Sequence, residues 1–143
     1  MNASAPRVIA SLLWLVAAGT GVSLPEARAG SPALASQTSR EGMITVKVTP
    51  LELSAQAAVW RFEVVLDTHV AALDQDMTAV AALADSAGRE YRAIAWEGDP
   101  PGSHHRKGIL KFEPIKPAPT SVMLKIRRIG VAERTFSWPV AAR

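Results

Sequence analysis

Three histidines, His69, His104 and His105, are the side chains of this chain best suited to hold a transition metal. Imidazole suits copper and zinc, and Asp67 or Met77 would add a further ligand close to His69. His104 and His105 are adjacent. On an extended chain their rings point apart, so both reach one ion only if the loop curls. The spacing matches no established zinc pattern, and the plainer expectation is that these rings pack or hydrogen-bond in a turn. Asp67, Asp74 and Asp76 crowd one short stretch. Calcium takes about six to eight oxygen ligands, and an Asp-x-Asp pair supplies only part of that shell. A solvated acidic loop with side-chain-capped turns is the expectation there.

The segment from Glu97 to Gly108 (EGDPPGSHHRKG) holds two prolines and several glycines, which excludes a helix or a central strand. Trp96, Glu97, His104, His105 and Arg106 are therefore candidate contact residues for a ligand or partner. Trp96 beside Pro100 and Pro101 has two readings, a ligand platform or a cap on the open end of a core, and the cap is favoured. Trp60 and Trp138 read as core by their alternation with polar neighbours. Glu97 and Asp99 could pair as acid and base, but no G-x-S-x-G, phosphate-cradling glycine loop or H-E-x-x-H run accompanies them. The expectation is a protein that is not an enzyme and needs no cofactor. Periplasmic copper or zinc binding through His69, His104 and His105 is the alternative.

The elements that would position these residues are strands. Ile44, Val46 and Val48 alternate with Thr45, Lys47 and Thr49 up to Pro50, a half-buried strand that the proline ends. Trp60, Phe62, Val64 and Leu66 share one face of a second strand. The loop Asp67–Met77 follows, and together with the loop Trp96–Arg106 it is the region through which a binding or structural module would act. Residues 78–84 (TAVAALA) read as a strand leading into a turn at Asp85-Ser-Ala-Gly88, where Gly88 supplies a positive φ. Residues 89–96 return as one strand. Ile109, Leu110 and Phe112 begin another, 121–129 alternates Val122, Leu124 and Ile126, and 134–140 places Phe136 and Trp138 on one face. About seven short strands at regular spacing predict an all-β antiparallel sandwich.

The chain begins with a weakly basic stretch to Arg7 and an apolar run from Val8 to Gly19. A membrane-spanning helix needs about 20 apolar residues, so this run fits a cleaved signal peptide. Ala27-Arg28-Ala29 gives small residues for cleavage after Ala29, and Ala33-Leu34-Ala35 is a second candidate. The expected organisation is a signal peptide over residues 1–29, a flexible segment over 30–42 and a sandwich domain over 43–143, exported to the periplasm or secreted.

The net charge is +3, from 16 basic and 13 acidic residues. Without Arg7, Arg28 and Glu26 the balance is 14 against 12, too even to favour nucleic acid. Lys125 and Arg127 would share one solvated strand face. There is no cysteine, which excludes a thiol nucleophile, a Cys–zinc site and a lipid anchor on cysteine. The expected partner is a periplasmic or envelope protein, with no membrane span after cleavage.

Residues 43–139 resemble small exported bacterial immunoglobulin-like sandwiches of the uncharacterised DUF4352-like kind. The resemblance rests on Leu83-Ala-Asp-Ser-Ala-Gly-Arg-Glu-Tyr91, the loop Trp96 to Arg106, Gly108-Ile-Leu-Lys-Phe112 and the late Val122-x-Leu-x-Ile126 strand. It implies an immunoglobulin-like fold and an extracellular setting. It transfers no catalytic residue and no cofactor.

Overall fold

The computed structural model describes residues 34–142. The expected signal peptide lies outside the described residues. Nine strands and one helical turn follow in order: β1 (Gln37–Glu41), β2 (Ile44–Glu52), β3 (Trp60–Thr68), α1 (Met77–Val80), β4 (Ala81–Ala84), β5 (Glu90–Arg92), β6 (Ala95–Gly98), β7 (His105–Phe112), β8 (Ser121–Arg127) and β9 (Glu133–Pro139). They form two antiparallel sheets, ordered β1-β2-β3-β7-β6 and β5-β4-β8-β9.

The period-two patterns produce these sheets directly. Every second residue of β3 from Trp60 to Thr68 is buried, as are Val122, Leu124 and Ile126 on β8. Burying such side chains contributes roughly 1.5–3 kcal/mol each, and the two inner faces merge into one apolar core. Phe62 ties the layers together. Its ring meets Phe112 edge-on at 5.8 Å and, across the gap, Trp138 of β9 at 5.6 Å. Trp60 and Trp138 are core residues, as their alternation indicates.

Several elements differ from the sequence expectation, each for a physical reason. The segment expected to be flexible contributes β1, which pairs with β2 from Gln37↔Val48 to Glu41↔Ile44. Its inward side chains are polar and bond the far sheet. The Gln37 side-chain amide donates to Ser137 O at 2.6 Å and accepts from Ser137 N at 3.3 Å. Pro50 does not end β2, which continues to Glu52. The β1 register stops at Val48, so β2 is locally an edge there, and proline is tolerated at edges.

The residues 78–84 divide. Asp76 accepts from Thr78 N at 2.9 Å and closes a helical turn before β4 begins, a strong capping arrangement for an alanine-rich stretch. The Thr78 hydroxyl, and then its amide, hold the Asp76 carboxyl below its ordinary pKa. The turn at Asp85 matches expectation: Gly88 has φ 79°, and Asp85 Oδ1 accepts from the amides of Ala87 and Arg89. The single strand expected over 89–96 is two strands in different sheets, with β5 on β4 and β6 on β7. On the outer face of the second sheet Glu90 accepts from Arg127 and Lys125. Arg127, then Lys125, hold the Glu90 carboxyl down to about 2.

Candidate functional site

Four connections meet at one end of the sandwich: the β1–β2 turn, the β3–α1 loop, the β6–β7 loop and the β8–β9 turn. The register places them together, because Thr68 donates its amide to His104 O at 3.0 Å and Leu73 donates to Ser103 O at 2.9 Å. The β6–β7 loop is shorter than expected. Gly98 pairs with Gly108, so β6 and β7 close it down to residues 99–104.

A buried arginine holds this end from the inside. Arg106 is 1% exposed, which corrects the expectation that it is a contact residue. It is an inward position of β7, in line with Gly108, Leu110 and Phe112. Its guanidinium donates to Leu73 O at 3.0 Å, to Gln75 O at 2.8 Å and to Asp99 O at 3.2 Å. Three carbonyls of two loops are thereby satisfied by one planar fork, a geometry that arginine provides and lysine does not. Burial lowers the Arg106 pKa, while Asp99, Asp74 and Asp76 oppose that shift. The group stays charged at neutral pH because it begins so high. In the same loop the buried Gln75 Oε1 meets no donor among the described residues.

Arg134 does the same on the other flank. It is 2% exposed and donates to Ile129 O at 3.0 Å, to Glu41 O at 2.5 Å and to Ser39 Oγ at 2.7 Å. One arginine therefore joins the β3–α1 and β6–β7 loops, and the other joins β1 to the β8–β9 turn. Neither has an ion-pair partner among the described residues. A buried charge is costly without partners, so each depends on the carbonyls it binds.

Trp96 is half-buried against the core. Its indole lies over Gly108, where a Cβ would come within 2.5 Å of the ring. Its Nε1 donates to Asp99 O at 3.0 Å, and the Arg106 guanidinium stands 5.6 Å from the ring centre. Trp96 thus caps the core and orders the loop. The geometry favours that role over a ligand platform.

The remaining candidates separate. His105 begins β7, and its Nδ1 is 2.8 Å from Asp67 Oδ1. His69 and His104 are exposed beside it. Met77 is 1% exposed in the core, so it is not available as a ligand. Among the described residues no group of three His, Asp or Glu side chains is arranged to hold a metal ion, so the copper or zinc alternative has no preformed site. Asp67, Asp74 and Asp76 do not converge either: Asp67 meets His105 and Asp76 caps α1. Glu97 pairs with Lys111, and Asp99 Oδ2 accepts from Lys107 N at 2.8 Å. These two carboxylates are separately engaged.

The fold and this end define a small β-sandwich with an internally stapled set of loops. No family model matches the chain, and no curated protein matches it. The chain is similar to a DUF4426 family protein from Pseudomonas aeruginosa PAO1, known from a crystal structure. That similarity has 13% identity and a TM-score of 0.42, and covers 76% of this chain and 96% of that one. It assigns no family and no activity, and the DUF4352-like resemblance remains one of turns and strands. Among the described residues no helix is long and apolar enough to cross a membrane.

Proposed function

We propose that this protein is an exported, non-enzymatic, immunoglobulin-like module that binds an envelope component through its stapled loop end. The carrying observation is the pair of buried arginines, Arg106 and Arg134, which fix three exposed connections and the end of β1 from within. A rigid scaffold that presents ordered loops is suited to recognition. Holding loops in one conformation in advance also lowers the entropic cost of binding.

The strand order supports the immunoglobulin-like part of the reading. With β1 set aside, β2-β3-β7-β6 opposes β5-β4-β8-β9. That is the A-B-E-D sheet against C-F-G with one added edge strand. In these terms the β3–α1 and β8–β9 connections correspond to the B–C and F–G loops, which carry recognition in antibody variable domains. The contact region is narrower than the sequence suggested. It comprises His69 to Asp74 and residues 99–104, with His105 at the margin and Arg106 beneath.

A photo-crosslinking side chain at position 70, in the loop end, is expected to capture an envelope component. The same group at position 86, in the β4–β5 turn at the opposite end, is expected to capture none. Equal labelling from both positions, or none from position 70, would contradict the proposal.

A further inference from the structure

The stapled end displays apolar and cationic side chains at some conformational cost to itself. Gly42 and Gly130 bring their two turns into backbone contact: a Cβ on Gly42 would lie 2.1 Å from Gly130 O. Beside them stand Met43 and Arg128, the non-glycine residues at positive φ among the described residues, at 59° and 58°. Gly42 and Met43 are the two central residues of the β1–β2 hairpin turn, where positive φ is required and glycine adopts it most easily.

Neither side chain offsets that strain with contacts inside the fold. Met43 is 75% exposed. Arg128 is exposed and has no ion-pair partner among the described residues. Backbone outliers of this kind persist where the surroundings hold them, and they often mark function.

The neighbouring loop extends the same surface. The Thr68 hydroxyl donates to Met43 O at 3.1 Å and accepts from Val70 N at 3.3 Å. Val70 is 54% exposed, and Ala71 and Ala72 after it are exposed too. An apolar ridge of Met43, Val70, Ala71 and Ala72 therefore lies beside two exposed cations, Arg40 and Arg128. Of the carboxylates flanking the ridge, Glu41 turns to Ser39 and Asp67 to His105, while Asp74 is exposed on the far side of the buried Leu73.

The geometry points to an anionic phospholipid surface as the occupant of this end. Methionine and valine tips enter the boundary between headgroups and acyl chains, and adjacent arginines meet the phosphates. Projecting apolar tips suit a soft interface that yields around them. This inference rests on the loop-end reading above and names its partner as lipid.

Co-sedimentation of the processed protein tests it. The probes are vesicles of phosphatidylglycerol and phosphatidylcholine in equal parts, against vesicles of phosphatidylcholine alone. Partition to the anionic vesicles is expected to be at least about tenfold stronger. Met43→Gly is expected to weaken it about tenfold while raising the melting temperature, because glycine relieves the positive φ. Arg128→Gln should weaken partition to the anionic vesicles alone.

Three results would overturn the inference: no partition to anionic vesicles, equal partition to both kinds, or a Met43→Gly variant that binds as well as the parent. Capture of a protein from position 70 by a chain that ignores vesicles would sink the lipid partner and leave the module reading intact. Vesicle partition that survives while position 70 captures nothing would count against both.

Discussion

Arg106→Ala is expected to destabilise the protein by about 3 kcal/mol, because a carbonyl left without a donor costs roughly 1–3 kcal/mol, two further carbonyls each lose one of their donors, and the packed side chain is lost with them. The Gln75 carbonyl depends on this guanidinium, whereas Leu73 O also accepts from Gly102 N and Asp99 O from Trp96 Nε1. The same change removes the cation beside the Trp96 ring. Domains of this size are stable by only about 5–15 kcal/mol, so the loss is a large share of the whole. Arg106→Lys should recover part of it, since an ammonium keeps the charge but cannot span three acceptors as a planar fork does. Urea unfolding measures this as a lower midpoint at unchanged slope. Amide exchange should also quicken at Leu73 and Gly102, whose amides cross-link the two loops. A loss below about 1 kcal/mol would mean that the freed carbonyls find other donors, and the staple would then be dispensable.

Phe62→Ala is the second large effect, with an expected cost of about 4 kcal/mol from lost burial and the cavity left behind. Phe62 is fully buried on β3, which lies between β2 and β7. Its ring is the aromatic contact joining Phe112 of one sheet to Trp138 of the other. Such aromatic pairs add roughly 0.5–1.5 kcal/mol beyond burial. Phe62→Leu, closer in volume, should cost about 1.5 kcal/mol or less. The two alanine variants differ in where the damage lies. Without Phe62 the sheets lose cohesion throughout, and protection falls across β3, β7 and β9. Without Arg106 the added mobility stays at one end. A Phe62→Ala variant as stable as the parent would show that the core closes over the gap.

How much of the fold is legible in the sequence depends on which side chains face the core. β2, β3, β8 and β9 are readable because apolar and polar residues alternate along them. β1 is not, because its inward side chains are polar. The Gln37 and Ser39 side chains bind Ser137 and Arg134 instead of entering the core, so no hydrophobic period marks them. The β5–β6 break is hidden for another reason. The chain changes sheets between Arg92 and Ala95, leaving Ile94 exposed, and the local composition does not show it. α1 competes with a strand on alanine content, and the Asp76 cap decides the outcome.

The two arginine staples do leave a trace in the sequence. Extending the alternation backwards from Phe112 through Leu110 and Gly108 puts Arg106 on the core face. Extending it from Trp138 through Phe136 does the same for Arg134. Reading Glu97 to Gly108 as one loop masks the first of these. The adjacent histidines raise an expectation of metal binding; the His105 ring turns to Asp67, and no group of three candidate ligands is gathered among the described residues. The loop Trp96–Arg106 therefore divides into two parts: Trp96 and Arg106 build the end, and residues 99–104 remain available for contact.

The N-terminus of the exported protein tests the central claim most directly. In the proposed export a leader is removed ahead of two residues that the fold uses. Leu34 packs against the core, and Ala35 O accepts from Trp138 Nε1 at 2.7 Å. Cleavage after Ala35 would remove both contacts, whereas cleavage after Ala29 keeps them. Mass spectrometry of protein recovered from outside the cytoplasm should show a chain starting at Gly30. A chain that retains Met1 and stays with the membrane would contradict export as a free module. A chain starting at Ser36 with undiminished stability would contradict a structural role for Leu34 and Ala35.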